Sequence, residues 1–325
     1  MKIWKHLSPK LAHEAASVFF NCYSQFFDSK PLEWAPLKWK GLSFANRLGA
    51  AGGFDKNGEM IHALPRLGAG FLEIGTVTPL PQKANPGRIL DRDWETQSVW
   101  NKMGFPNDGA REIALNLEHA KPFSTPVFVN IGKNRQTQLD VAWKDYVSLR
   151  RDFSQLADAF VLNISSPNTQ GLRTLLQPEN LSVFLRKIFQ ESPCPQPTLL
   201  KLSPDLSFQH LQEILLCAVE AGIEGFILTN TTLSRWPNCP YPVEGGVSGA
   251  PLAERSKEML SQSLEILSKY RQNLLLVSAG GILNPQNVRE RLQMGADLVQ
   301  IYSGLVFYGP DFFRDTAKLM KEHSA

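Results

Sequence analysis

Cysteine is scarce in this chain: four residues in 325, Cys22, Cys194, Cys217 and Cys239, with long irregular gaps. No CxxC pair for zinc or redox work exists, and nothing resembles a disulfide framework, which points to a reducing compartment. No metal is expected. Long apolar runs are missing too, so no segment reaches the roughly 20 residues that a membrane-spanning helix needs. The start, MKIWKHLSPK, carries charges with no apolar stretch behind it, and no secretory signal is expected. Charge of one sign is also lacking. A formal net charge of +3 is far from the concentrated basic stripe of a nucleic-acid binder, so nucleic acid is not an expected partner. No internal repeat or low-complexity segment stands out.

What is present is an ordinary globular mixture, 43% hydrophobic and 20% charged, long enough to bury a large core. Its two regions differ. Residues 1–40 are rich in aromatics: Trp4, Phe19, Phe20, Tyr23, Phe26, Phe27, Trp34 and Trp39. From about residue 42, short apolar runs alternate with helix-like stretches. The runs at 48–53, 70–77, 126–132, 159–165, 198–203, 225–230, 274–281 and 297–303 read as parallel strands buried on both faces. Between them lie amphipathic segments with clear boundaries. One starts at Asn284-Pro285 and ends at Gly295; another runs from 203 to Gly222. Eight strands with intervening helices predict an α/β fold, a (β/α)8 TIM barrel. A doubly wound open sheet is the alternative, disfavoured because no GxGxxG fingerprint follows the first strand. The proline-rich stretch 78–110 reads as an excursion over one barrel end.

TIM-barrel chemistry sits at the C-terminal ends of the strands, and here those ends are polar. In order they give Asp55 and Lys56, Thr76, Asn130, Asn163 with Ser165 and Ser166, and Lys201. Then come Thr229, Asn230 and Thr231, Ser278, and Tyr302 with Ser303. Eight polar ends facing one way predict a ring of donors and acceptors around a polar ligand, against the plainer reading of satisfied turns. Glycines after the last two strands, Gly280-Gly281 and Gly304, sit where barrels often bind phosphate, although tight turns also use glycine. Lys56 and Lys201 directly follow buried runs, and a buried ammonium is costly unless it meets an anion or snorkels out. The segment NISSPNTQGLR (163–173) brings two amides and a hydroxyl to one point. Amides can read a planar ring of carbonyls and N–H groups. Serine is a poor base alone, so it would need a relay or simultaneous hydride departure.

Ten segments in order resemble dihydroorotate dehydrogenase: GGFDKNGE (52–59), EIGTVTP (73–79), NKMGFPNDG (101–109), NIGKN (130–134), NISSPNTQGLR (163–173), LKLSPDL (200–206), TNTTL (229–233), GGVSGAPL (245–252), SAGGI (278–282) and QIYSG (300–304). The resemblance implies oxidation of dihydroorotate to orotate in pyrimidine synthesis, with FMN as hydride acceptor. By similarity, Ser166 is the base at substrate C5 while C6 yields hydride. Lys56, Asn101, Lys102, Met103, Gly104, Phe105, Asn163, Asn168, Asn230 and Thr231 would hold the substrate. Gly52, Gly53, Phe54, Asp55, Lys56, Thr76, Asn130, Asn163, Lys201, Thr229, Gly249, Gly281, Tyr302 and Ser303 would hold FMN, its phosphate near Gly249, Gly281 and Tyr302-Ser303. Two positions depart from the usual pattern. Lys102 stands where many relatives have arginine and loses the planar fork; Gly52 stands where alanine is common.

Soluble relatives use a cysteine base; here the position is Ser166, which implies the quinone-using type. Those members carry an N-terminal helical extension, and residues 1–40 fit one, ahead of a catalytic domain at 41–325. Ser8-Pro9 is a good helix start. Leu11, Ala15, Val18, Phe19, Cys22, Tyr23 and Phe26 form an apolar face opposite Glu14, Ser17, Asn21, Ser24 and Asp28. With Trp34 and Trp39 nearby, this predicts peripheral membrane contact through residues 1–40; the resemblance implies a membrane quinone as partner and, in a bacterium, the cytoplasmic face of the inner or plasma membrane. A helix packed on the barrel bottom is the alternative. His13 belongs either near the quinone entrance or at the surface. Two rival functions are weighed against this: a soluble flavoenzyme passing electrons to fumarate or, through a partner, to NAD, and a barrel that binds a phosphorylated metabolite or a membrane surface without redox chemistry.

Overall fold

The structure, a computed structural model, describes residues 3–28 and 30–322. Eight parallel strands close into a barrel: β1 (Leu48–Asp55), β2 (Phe71–Val77), β3 (Val127–Ile131), β4 (Ala159–Asn163), β5 (Thr198–Leu202), β6 (Gly225–Leu228), β7 (Leu275–Ala279) and β8 (Leu298–Ile301). Each strand pairs with its sequence neighbours, and β8 returns to β1 with Val299 opposite Leu48. All eight start or lie within the predicted runs. Their side chains are buried almost throughout, because helices cover the outside and packed side chains fill the inside.

The barrel is closed below by a hairpin, Leu37–Trp39 paired with Leu42–Phe44. Phe44 enters the floor edge-on to Phe71 and Phe128, at centroid distances of 5.9 and 6.1 Å. Trp39 packs on this floor and Trp34 is only 6% exposed. Trp34 is thus part of the core and Trp39 is half-buried against the floor, away from the extension's helices. The predicted helix after β7 spans Pro285–Gln293, with Asn284 Oδ1 accepting from the Asn287 N–H at 3.0 Å. The 78–110 excursion contains two strands not foreseen, Leu90–Asp93 and Ser98–Asn101. They pair antiparallel, and Gly246–Gly249 adds a third strand beside the barrel mouth.

The extension forms two helices, Pro9–Glu14 and Ala16–Ser24, separated at Ala15. Ser8 Oγ accepts from the Leu11 N–H, as the Ser-Pro start predicts. The outward face carries Leu11, Val18, Phe19 and Phe26, the last 82% exposed. Part of the predicted polar face turns inward instead. Ser24 is buried, and Asn21 Nδ2 donates to the Glu59 carbonyl of the barrel. A short helical turn, Ile3–His6, precedes these helices. It is tied down where Arg92 Nη2 donates to the carbonyls of Trp4 and Leu7, both at 2.6 Å. Among the described residues no helix is long and apolar enough to cross a membrane.

Candidate active site

The C-terminal strand ends surround a polar cavity of about 1070 Å³, counting its open mouth. Gly52, Gly53 and Lys56 reach it from β1, Thr76 from β2, Asn163, Ser166 and Asn168 from the loop after β4, and Lys201 from β5. Thr229, Asn230 and Thr231 follow β6, Gly281 follows β7, and Tyr302 and Ser303 follow β8. The excursion contributes Asn101, Met103, Gly104 and Phe105. Ser165 and Ser278 of the expected polar ring do not line this cavity, and neither do five of the residues expected to hold substrate or FMN. Phe54 faces a second cavity, described below. The Asp55 carboxylate accepts from the N–H groups of Glu59 and Met60, shaping the turn, and burial pushes its pKa up. Asn130 lies behind the wall against Glu73. Lys102 lies on the excursion, where its N–H donates to the Ile89 carbonyl. Gly249 packs on Gln97, whose carbonyl would lie 2.1 Å from an added Cβ.

Four asparagines form two amide pairs, Asn101 with Asn168 and Asn163 with Asn230. Asn168 Nδ2 donates to Asn101 Oδ1 at 2.8 Å, and Asn163 Nδ2 donates to Thr76 Oγ1 at 2.9 Å. Asn230 Nδ2 donates to Ser165 Oγ at 3.0 Å and to Asn163 Oδ1 at 3.3 Å. Ser166 is 5% exposed, and its Oγ accepts from the Asn168 N–H at 3.2 Å. That donor favours negative charge on the oxygen. Arg173 braces the loop from behind: its Nε donates to the Ser165 carbonyl and its Nη1 to Asp205 Oδ2.

The two lysines find partners within the protein. Lys201 Nζ meets both carboxylate oxygens of Glu73, at 2.9 and 3.2 Å, and Glu73 also accepts from Asn130 Nδ2. Its charge is thus balanced without an external anion, a correction to the sequence argument. Lys56 Nζ contacts His13 Nε2 of the extension. Burial brings the Lys56 ammonium down to about 8, against the pull of Asp55 and Glu59. Burial first, then the nearby Lys56 charge, brings His13 down to about 3. At neutral pH a neutral ring therefore accepts from an ammonium, and His13 is no surface histidine. Sequence reasoning singled out neither Glu73 nor Gln300. Both are polar residues inside apolar strands, and that anomaly was the available signal. The Gln300 amide lines the cavity and has no hydrogen-bond partner at either atom among the described residues.

A second cavity, largely apolar, lies between the extension and the barrel. Leu7, Ala12, Ala16, Phe19 and Phe20 form one wall; Phe54, Leu305, Val306 and Pro310 form the other. His13 and Arg92 are its basic residues, and burial lowers the pKa of Arg92. Val99 and Tyr302 line both cavities and so make a shared partition. Tyr302 packs edge-on to Phe54 at 5.7 Å, and burial pushes its hydroxyl up to about 12.

This architecture has close counterparts. A family model described as dihydroorotate dehydrogenase matches residues 35–323. A dihydroorotate dehydrogenase (quinone) of Sulfurimonas denitrificans is 39% identical over 314 residues, covering 95% of this chain and 87% of the relative. One from Acinetobacter baumannii is 38% identical over 325 residues, covering 97% and 96%. Among solved structures, DHODH from Eimeria tenella in complex with ferulenol superposes with a TM-score of 0.85 at 28% identity, covering 96% of this chain and 90% of that one. With a family model matching residues 35–323 and relatives 38–39% identical along nearly the full length, the chain belongs to the dihydroorotate dehydrogenase family.

Proposed function

We propose that this protein oxidises (S)-dihydroorotate to orotate in pyrimidine synthesis, with FMN as cofactor and a membrane quinone as final electron acceptor. The observation that carries this reading is the pair of cavities, one polar and one apolar, meeting at Val99 and Tyr302. A polar acid and a greasy electron acceptor need different solvents, and a shared partition lets one cofactor serve both.

The residues present fit a flavin. The Gln300 amide is buried with both atoms free, as a ring of alternating donors and acceptors would require. Thr76, Asn163, Lys201, Thr229 and Gln300 would hold the ring system; Gly281, Tyr302 and Ser303 would hold the phosphate. Bound FMN would supply the hydride acceptor. Lys56 would meet the carboxylate of dihydroorotate, and the amides of Asn101, Asn163, Asn168 and Asn230 would fix its ring. Ser166 Oγ would take the C5 proton, helped by the Asn168 N–H. These roles, and the division into an N-terminal extension and a catalytic barrel, are supported by placement and family resemblance.

The second cavity is the reading we favour for the quinone, and the outward row Leu11, Val18, Phe19 and Phe26 for peripheral membrane contact, on the cytoplasmic face in a bacterium. The decisive experiment is anaerobic stopped-flow. Dihydroorotate is expected to bleach the flavin absorbance and a soluble quinone to restore it. Absence of flavin, or of bleaching, would sink the assignment; recolouring by fumarate and not by quinone would make it a soluble-type enzyme.

A further inference from the structure

Behind the loop that follows β7 lies a buried cation that no carboxylate among the described residues touches. On the helix Pro285–Gln293 the buried residues are Pro285, Val288 and Arg291. At this three-residue spacing they form the core-facing stripe, where an apolar residue belongs. Arg291 is 1% exposed, and no carboxylate among the described residues touches it. Glu290 and Glu254 act on it only through space, and both pair with Lys257. The other deeply buried guanidinium, Arg150, lies at the opposite barrel end over the rings of Phe160 and Phe189. Arg291 has no ring contact among the described residues. A charge left in this state is costly unless something negative comes within reach.

Its hydrogen bonds show what it organises. Arg291 Nη2 donates to Ser256 Oγ at 2.7 Å, to the Ala253 carbonyl at 2.9 Å and to the Gly280 carbonyl at 3.2 Å, while Nη1 donates to Ser278 Oγ at 3.3 Å. Ser256 Oγ donates to the same Gly280 carbonyl at 2.8 Å. The Gly280–Gly281 peptide is trans, so its carbonyl and the Gly281 N–H point in opposite directions. Fixing the carbonyl on Arg291 and Ser256 turns the Gly281 N–H away from them. That N–H has no partner among the described residues, and Gly280 and Gly281 both line the polar cavity. Gly281 has φ +71° and lies so close to Ala253 that an added Cβ would be 2.2 Å from its Cα. The peptide has little room to turn otherwise.

We propose that Arg291 is a positioning residue for the phosphate end of the flavin site. It aims the Gly281 N–H and places a positive charge with no carboxylate in contact behind the dianion. The inference rests on the FMN reading above. It adds a residue that touches no ligand and assigns it selectivity for phosphorylated over unphosphorylated flavin.

The test compares FMN with riboflavin, which lacks the phosphate, on the full-length chain stripped of flavin, by fluorescence titration. Arg291→Met is expected to weaken FMN by about tenfold or more while riboflavin changes less than about threefold, since only the phosphate carries charge. Arg291→Lys keeps the charge and is expected to retain the preference for FMN. Equal weakening of both flavins in Arg291→Met, or an unchanged FMN affinity, would reduce Arg291 to a loop brace and overturn the proposal. If Arg291→Met does not fold, Arg291→Lys decides: a preserved FMN-to-riboflavin ratio supports the proposal and a collapsed ratio sinks it. Failure of the unmodified protein to bind either flavin would instead remove the functional reading itself, and the inference with it.

Discussion

Lys201 donates to both carboxylate oxygens of Glu73, at 2.9 and 3.2 Å, with the two side chains 7% and 0% exposed. A salt bridge this deep is costly to form and more costly to break, because a lone partner is left charged and dry. Glu73→Gln is therefore expected to destabilise the flavin-free protein by about 3–5 kcal/mol. Glu73→Gln combined with Lys201→Met removes both charges and should recover most of that loss. Urea melts of the three proteins decide it; a double variant no better than Glu73→Gln would mean the amide, not the stranded ammonium, is at fault.

Ser166 is the only hydroxyl in the cavity whose oxygen accepts from a neighbouring loop N–H, that of Asn168, among the described residues. Ser166→Ala should slow flavin reduction by about a hundredfold or more, the loss typical of a general base. Orotate affinity should change little, since the asparagine amides remain. Single-turnover bleaching and orotate titration separate the two; an unchanged bleaching rate removes Ser166 from the chemistry.

The barrel was legible because parallel strands buried on both faces leave unbroken apolar runs, and polar residues just past those runs mark the mouth. Ser166 lies just past its run in this way, and Asn163 ends its strand. Lys201, Glu73 and Gln300 all lie inside strands; the lysine stands out by its charge, whereas a single Glu or Gln among apolar residues is easily passed over. The strands 90–93 and 98–101 were hidden for a different reason. Sequences such as LDRD carry no alternation, and their pairing depends on Gly246–Gly249, some 150 residues later. Aromatic excess alone does not distinguish a barrel floor from a lipid face, and Trp34 and Trp39 pack at the floor.

The contact between His13 and Lys56 makes stability depend on pH. The folded pKa of His13, about 3, lies below its ordinary 6.5. Between those values the unfolded chain binds more protons, so the neutral ring's contribution is intact above about pH 6.5 and is lost as pH falls toward 3. Lys56 is also depressed, from 10.5 to about 8. The penalty for burying its charge is in force below pH 8, and stability from this group rises between 8 and 10.5. His13→Gln should flatten the acid limb of a melting-temperature profile between pH 7 and 4, and Lys56→Met the alkaline limb. An acid limb unchanged in His13→Gln would mean that other groups govern it.

The structure also moves the cut that isolates the extension. Removing residues 1–40 would split the floor hairpin at its turn and delete Trp34 and the Leu32 carbonyl, which accepts from Asn46 Nδ2 at 2.7 Å. Stopping at residue 28 spares these while stripping one wall of the apolar cavity, with His13, Phe19 and Phe20. The shorter truncation is expected to keep its fold and its bleaching by dihydroorotate, yet to lose about tenfold or more in quinone turnover, as expected when most of a ligand's buried surface is exposed. A milder variant separates the cavity from the surface. Val18 and Phe26 are 66% and 82% exposed and do not line the cavity. Val18→Glu with Phe26→Glu should therefore abolish flotation with anionic vesicles while soluble-quinone turnover stays near normal. If the double variant still floats, membrane contact lies elsewhere; if the truncated protein turns over soluble quinone at full rate, the second cavity is not the quinone site.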